Sequence, residues 1–131
     1  MKNMKKILSF VLGASLMGMS LAGCGETNTG DQSTGGKTIK IGVFEPASGD
    51  NGAGGKQEVL GIRYANTVVP TVTVGGEEYT IELVEVDNQS STDKAVSAAE
   101  TLVSKGVSAV LGTYGSGAAI AAAPTFNNAK I

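Results

Sequence analysis

The chain has 131 residues, about the size of one domain, with 10 basic and 12 acidic side chains and a net charge of −2. It has no histidine, no tryptophan and one cysteine. Within these residues that excludes a histidine-based triad, a histidine-ligated metal and a disulfide, and nothing in the pattern asks for a cofactor.

Lys2, Lys5 and Lys6 precede an apolar run at residues 7–21 that ends in small side chains. Positive, apolar, small is the order of a secretory signal peptide. A membrane span needs ~20 apolar residues, and this run is short and diluted by Gly13, Ser15, Gly18 and Ser20. Residues 21–24, LAGC, resemble a bacterial lipobox. That resemblance implies that Cys24 takes a diacylglycerol and becomes the new N-terminus. A lone buried cysteine of a cytosolic domain fits poorly at the end of a signal sequence. Residues 25–37, GETNTGDQSTGGK, hold no apolar side chain that could drive burial. They read as a flexible tether with a reach of about 20 Å. The expected organisation is a signal peptide at 1–23, a lipidated cysteine and linker at 24–37, and a folded part at 38–131. Losing the leader removes three lysines, leaving seven basic against twelve acidic residues, a net charge of −5. A nucleic-acid partner is not expected.

Residues 38–44, TIKIGVF, predict a first strand, β-branched and apolar and closed by Pro46. A glycine-rich loop follows. A helix is expected from about Lys56, with Val59, Ile62, Ala65 and Val69 at helical spacing and Pro70 as its stop. The Gly75-Gly76 pair predicts a turn that makes residues 71–74 a hairpin arm, with Glu77 and Glu78 at a solvated tip. Residues 80–87 read as the second core strand. Asp87 at its end suits a loop carboxylate that hydrogen-bonds its own turn better than a ribose acid.

Ser90 or Ser91 is the expected N-cap of a second helix with Ala95, Val96, Ala99, Leu102 and Val103 on one face and Gly106 as its C-cap. Residues 107–112 predict a third strand. Residues 116–126 begin a third helix, and residues 129–131, AKI, look like the entry to a fourth strand. Strand and helix alternate, and the strands are apolar enough for burial on both faces. The expected fold class is α/β, an open doubly wound parallel sheet. Ligands in such sheets sit beyond the carboxyl ends of the strands.

Two glycine-rich loops lie at such ends, residues 45–55 and 113–117. A Walker A loop would place its lysine at Lys56, but Asp50 then stands where the first glycine belongs and Gln57 where the hydroxyl belongs. A dinucleotide fingerprint at Gly115-Ser116-Gly117 would want a third glycine at Ile120, and the first strand, not the third. Anion binding fits better. A helix starting here offers unpaired backbone N–H groups to a carboxylate, with Ser116 adding a hydroxyl and the glycines allowing close approach. On spacing alone, Ser116 serves equally as a helix cap. Tyr114 is placed either to line the same site or to pack on the sheet edge.

Residues 39–65, IKIGVFEPASGDNGAGGKQEVLGIRYA, and residues 80–117, TIELVEVDNQSSTDKAVSAAETLVSKGVSAVLGTYGSG, resemble branched-chain amino acid type substrate-binding proteins of ABC transporters. The resemblance rests on Pro46-x-Ser48-Gly49, Gly61, Asp87, the helix bearing Ala95 and Leu102, and the G-x-x-x-S loop from Gly112 to Ser116. It covers residues 38–131. It implies a partial first lobe of a two-lobe, hinged fold that closes on an amino acid and hands it to a permease, without chemistry. It implies a lipid-anchored protein on the outer face of the cell membrane, in the Gram-positive manner. The ligand-binding residues it implies are Ser48, Gly49, Tyr114, Gly115, Ser116 and Gly117, with Ser116 on the ligand's carboxylate. The family often has an aromatic residue in the first loop, where this chain has Gly54. The second lobe lies outside these residues. The ten-residue loop at 48–57 is therefore expected to be a flexible, ligand-side segment. The same fold also serves as the ligand-sensing domain of receptors. An exported enzyme would need a nucleophile and base that these residues lack.

Overall fold

Residues 36–131 are described by the computed structural model. The expected signal peptide, Cys24 and the linker as far as residue 35 lie outside the described residues. The element order is β1 (Lys37–Glu45), α1 (Gly52–Val68), β2 (Thr71–Val74), β3 (Glu77–Asp87), α2 (Thr92–Ser104), β4 (Ala109–Leu111) and α3 (Ser116–Ala129).

The sheet order is β2-β3-β1-β4, with β1 parallel to both its neighbours. β2 runs antiparallel to β3 at the edge, joined through Gly75 and Gly76, both at positive φ. A two-residue turn of that kind matches the twist of a hairpin. The sheet is thus parallel with one antiparallel edge, an α/β arrangement as expected. Glu77 and Glu78 open β3 and stay exposed, Glu77 pairing with Lys37 of the neighbouring strand.

One face of the sheet carries the core. Ala95, Ala98, Ala99 and Leu102 of α2 bury against Phe44 and Val84, and Ala118 and Ala122 of α3 join them. Small alanines let the two helices approach closely, and Phe44 meets Phe126 edge to face, 5.5 Å between centroids. The buried stripe of α2 turns at Ala98, so Val96 lies outside it and is exposed. Ser91, not Ser90, caps α2, its hydroxyl accepting from Lys94 N–H at 3.4 Å. Gly106 follows the helix at positive φ, as a C-terminal glycine should.

Among the described residues, the other face is covered only by α1. Arg63 pins that helix to β3 through a two-pronged ion pair with Glu85 (2.7 and 2.6 Å). Between α1 and the sheet runs an apolar groove of about 710 Å³, lined by Ile41, Ile62, Tyr64, Val68, Leu83 and Leu111 among others. Ala65 and Val69, expected on a buried stripe, are exposed beside it.

Two boundaries differ from expectation. α1 starts at Gly52, four residues before Lys56. Glycines are poor helix formers, yet here the first turn lies on the backbone of the preceding loop. A Cβ at Gly55 would stand 2.2 Å from the Pro46 carbonyl oxygen. The supposed flexible segment at 48–57 is therefore half loop and half helix. At the other end, residues 129–131 do not enter a strand. Ala129 closes α3, Lys130 is left-handed, and the Ile131 N–H returns to the Phe126 carbonyl at 3.0 Å. Ile131 and Phe126 pack together on the core, the usual partner of such a cap.

Candidate functional site

Three loops meet at the carboxyl edge of the sheet, residues 46–51 after β1, 88–91 after β3 and 112–115 after β4. β1 sits between β3 and β4, so its loop touches both neighbours. Asp87 ties the first two. One oxygen accepts from the Ala47 and Gln89 N–H groups (2.7 and 2.8 Å), the other from the Ser48 hydroxyl (2.7 Å). Burial pushes the Asp87 carboxyl up. The Ser48 hydroxyl and the amides of Gln89, Ala47 and Ser48 outweigh it and hold the group below its ordinary range. Asp87 does bond its own turn, as its place in the sequence suggested, and joins the first loop as well.

Ser90 adds a second tie, donating to the Ser48 carbonyl and accepting from the Asn51 N–H, both at 2.9 Å. Gln89 and Ser90 both have φ of 56°, a left-handed conformation costly for side chains of this kind. Their N–H groups bond back to Asp87 and Asn88, which holds the turn in place. Gly49 is also left-handed, and a Cβ there would come within 2.3 Å of the Gln89 carbonyl oxygen. Ser48 and Gly49 thus hold loop to loop.

Asn88 is fully buried and ties its own loop to the end of β1 and to the third loop. Its Nδ2 donates to the Phe44 carbonyl (3.2 Å) and to Thr113 Oγ1 (2.6 Å), and its Oδ1 accepts from the Ser90 N–H (3.1 Å). The third loop is also held by Glu45, a carboxylate only 3% exposed, whose Oε2 accepts from the Tyr114 N–H at 2.7 Å. Burial pushes the Glu45 carboxyl up to about 7. The Tyr114 amide and Thr113 oppose the rise, and the neighbouring Glu58 adds to it.

That shift has a measurable sign. Between an ordinary value of 4.5 and about 7, the folded protein holds a proton that the unfolded chain has released. The stability it contributes is full below the lower value and is lost as the pH rises through the upper one. One proton sets a slope of at most about 1.4 kcal/mol per pH unit. Glu45→Gln is expected to flatten the melting-temperature profile across this window. An unaltered profile would show that another group sets the slope.

Of the three helices starting at this edge, α2 is closed by its own residues: Ser91 caps it and Asp93 sits in its first turn. α1 and α3 have neither a side-chain cap nor an acid in the first turn. Their N-termini adjoin, Asn51 Nδ2 lying 3.1 Å from the Cβ position of Gly115. Gly115 is the N-cap of α3, at φ 134°, so Ser116 is the first helical residue, not the cap. Ser116 and Gly117 are exposed, and the ring of Tyr114 stands at the rim, 48% exposed. The sequence pointed to the six residues that the structure gathers here. It missed Glu45, Asn51, Asn88 and Ser90. Among the described residues, no group of three or more acidic, cysteine or histidine side chains could hold a metal ion.

Residues 38–131 match the family model described as periplasmic binding protein. The chain belongs to the periplasmic binding protein family. No curated protein sequence matches it. Solved structures do. It is 35% identical to the branched-chain amino acid transporter substrate binding protein LivJ from Streptococcus pneumoniae, solved with isoleucine, over 72% of this chain and 27% of that one, with a TM-score of 0.63. It is 33% identical to the leucine binding protein LivK from Thermotoga maritima, over 72% and 26%, with a TM-score of 0.64. A solute binding protein from R. palustris, solved with benzoate, is 27% identical over 70% and 25%, with a TM-score of 0.58. The chain therefore spans about a quarter of the length of these proteins. The family is non-enzymatic, and its members' ligands vary from amino acids to benzoates.

Proposed function

We propose that this chain is the ligand-binding part of a first lobe in a solute receptor that serves an ABC importer, and that it takes a small carboxylate, an amino acid of branched-chain or related type. The observation that carries the reading is the pair of adjoining helix N-termini, without side-chain caps or first-turn acids, at one sheet edge. Unpaired N–H groups and the positive ends of two helix dipoles favour an anion there. The exposed Ser116 hydroxyl donates to one carboxylate oxygen, and N–H groups near Gly117 to the other. Gly115 lets the ligand approach the backbone. Tyr114 lines the same side, while Ser48 and Gly49 hold the opposing loop in place beside it. The likeness to proteins solved with isoleucine and with benzoate supports a carboxylate and leaves its remainder to be read from this site.

A second lobe closing over these loops would supply the remaining contacts, so that binding drives closure and closure presents the receptor to a permease. Cys24, in the LAGC segment, would carry the lipid that keeps the receptor on the outer face of the cell membrane, and the mass of the mature N-terminal peptide reads this directly.

The test is calorimetry on the full-length protein with a panel of amino acids and benzoate. Ser116→Ala is expected to weaken binding by ~1–3 kcal/mol, the cost of leaving a charged acceptor short of a donor. The melting temperature without ligand should hold, because Ser116 caps nothing. Unchanged affinity would remove Ser116 from the site. Absence of binding by any small carboxylate would overturn the reading itself.

A further inference from the structure

We propose that Tyr114 is the wall that selects the apolar part of the ligand, seated on the bare backbone of Gly54. This rests on the carboxylate site proposed above. A Cβ built on Gly54 would lie 2.7 Å from the Tyr114 Cζ and 2.9 Å from both Cε atoms. Ring and glycine are thus reciprocal. Any side chain at 54 would have to displace the ring, and any smaller residue at 114 would leave a gap.

The ring is also held at its root. The Tyr114 N–H is bound by the buried Glu45 carboxylate at 2.7 Å. The next residue, Gly115, lies against Asn51. Tyr114 nevertheless remains 48% exposed as a residue. A large aromatic side chain that is seated at its tip, anchored at its backbone and open between them is organised to receive something.

What it receives follows from Ser116, two residues further on. Two residues span at most ~7 Å. A carboxylate at Ser116 therefore leaves the next few ligand atoms beside the ring. An aromatic face favours aliphatic or aryl groups. Charged groups in and beside these loops include Asp50, Asp87, Glu45 and, beside Glu45, Glu58, all acids. Lys56 is two residues past Gly54, about 200° around α1, on another side of the helix. A second carboxylate on the ligand would meet like charge from these loops. The class selected is a monocarboxylate with an aliphatic or aryl remainder.

The experiment is calorimetry on the full-length protein with isoleucine, benzoate, glycine and glutamate, with a thermal melt of each variant to confirm folding. The intact protein should bind isoleucine or benzoate more tightly than glycine and glutamate. Tyr114→Ala should lower affinity for the tighter apolar probe about tenfold, in keeping with lost apolar contact, and for glycine by less than about threefold. Tyr114→Phe, which keeps the ring, should recover what Tyr114→Ala loses. Gly54→Phe should weaken the apolar probe by displacing the ring, and Gly54→Phe with Tyr114→Ala should recover much of that loss. Equal losses for glycine and the apolar probe, or none, would overturn the wall while leaving the carboxylate site standing. Preference for glutamate would do the same. If none of the four probes binds, the receptor reading fails and the wall with it.

Discussion

Gly55→Ala is expected to destabilise the folded protein by about 3 kcal/mol or more, at or beyond the upper end of ordinary overpacking. The added methyl would stand 2.2 Å from the Pro46 carbonyl oxygen and 2.7 Å from two carbons of the Pro46 ring. Both obstacles are stiff. The carbonyl belongs to the buried exit of β1, and the proline ring has no rotamer to offer. Relief requires α1 to lift from the loop, which also loosens Asn51 and the bonds that Ser90 makes there. Gly61→Ala supplies the contrast. It lies in the same helix, with nothing within 4 Å of its Cβ position. It should stabilise by about 0.5–1 kcal/mol, the usual gain from replacing a glycine inside a helix. Urea midpoints for the two variants should therefore move in opposite directions. Equal midpoints would mean that α1 does not rest on Pro46.

Asn88→Asp should be the second large loss, about 3 kcal/mol near neutral pH. The change is nearly isosteric, so packing is preserved and only hydrogen-bond sense and charge are altered. Phe44 offers a carbonyl, which can only accept, and Ser90 an N–H, which can only donate, so the orientation of the Asn88 amide is set by its partners. An aspartate would turn a bare oxygen on the Phe44 carbonyl and bury a charge with no cation opposite. Protonation restores one donor and removes the charge. The loss should shrink as the pH falls towards 4. Denaturation midpoints at two pH values separate this from a mere packing defect, which would be the same at both.

The strands and α2 were legible because their signals are local. Residues 38–44 and 80–87 are β-branched runs between turn residues, and Ala95, Ala99 and Leu102 repeat at helical spacing. The start of α1 was hidden because three of its first four residues are glycine, and intrinsic propensity argues against a helix there. Only the approach to Pro46 explains it. Glu45 and Asn88 were hidden for a related reason. A glutamate after an apolar strand reads as the solvent end of that strand, and its burial depends on a loop nearly seventy positions away folding over it. Asn88 did leave a trace, an Asx residue at a strand exit, but that pattern serves ordinary turns equally well. The carboxyl-edge loops were legible as glycine-rich. What they hold together was not, because backbone meeting backbone leaves no periodicity to read.

The order β2-β3-β1-β4 also orders events in time. The central strand is the earliest of the four to leave the ribosome, and it waits with both flanks unpaired. β3 must close a span of about forty residues to reach it, and β4 one of nearly seventy. Closure entropy rises slowly with span, but it must be met before any parallel pairing rewards it. Wherever the chain emerges end first, from a ribosome or an export channel, this order would favour building the sheet outward from β1, the longer pair of strands first. The three-residue strand docks onto a template already formed. Moving Lys37–Glu45 to the far end of the chain by circular permutation would reverse this schedule, with every flanking strand made before the one they share.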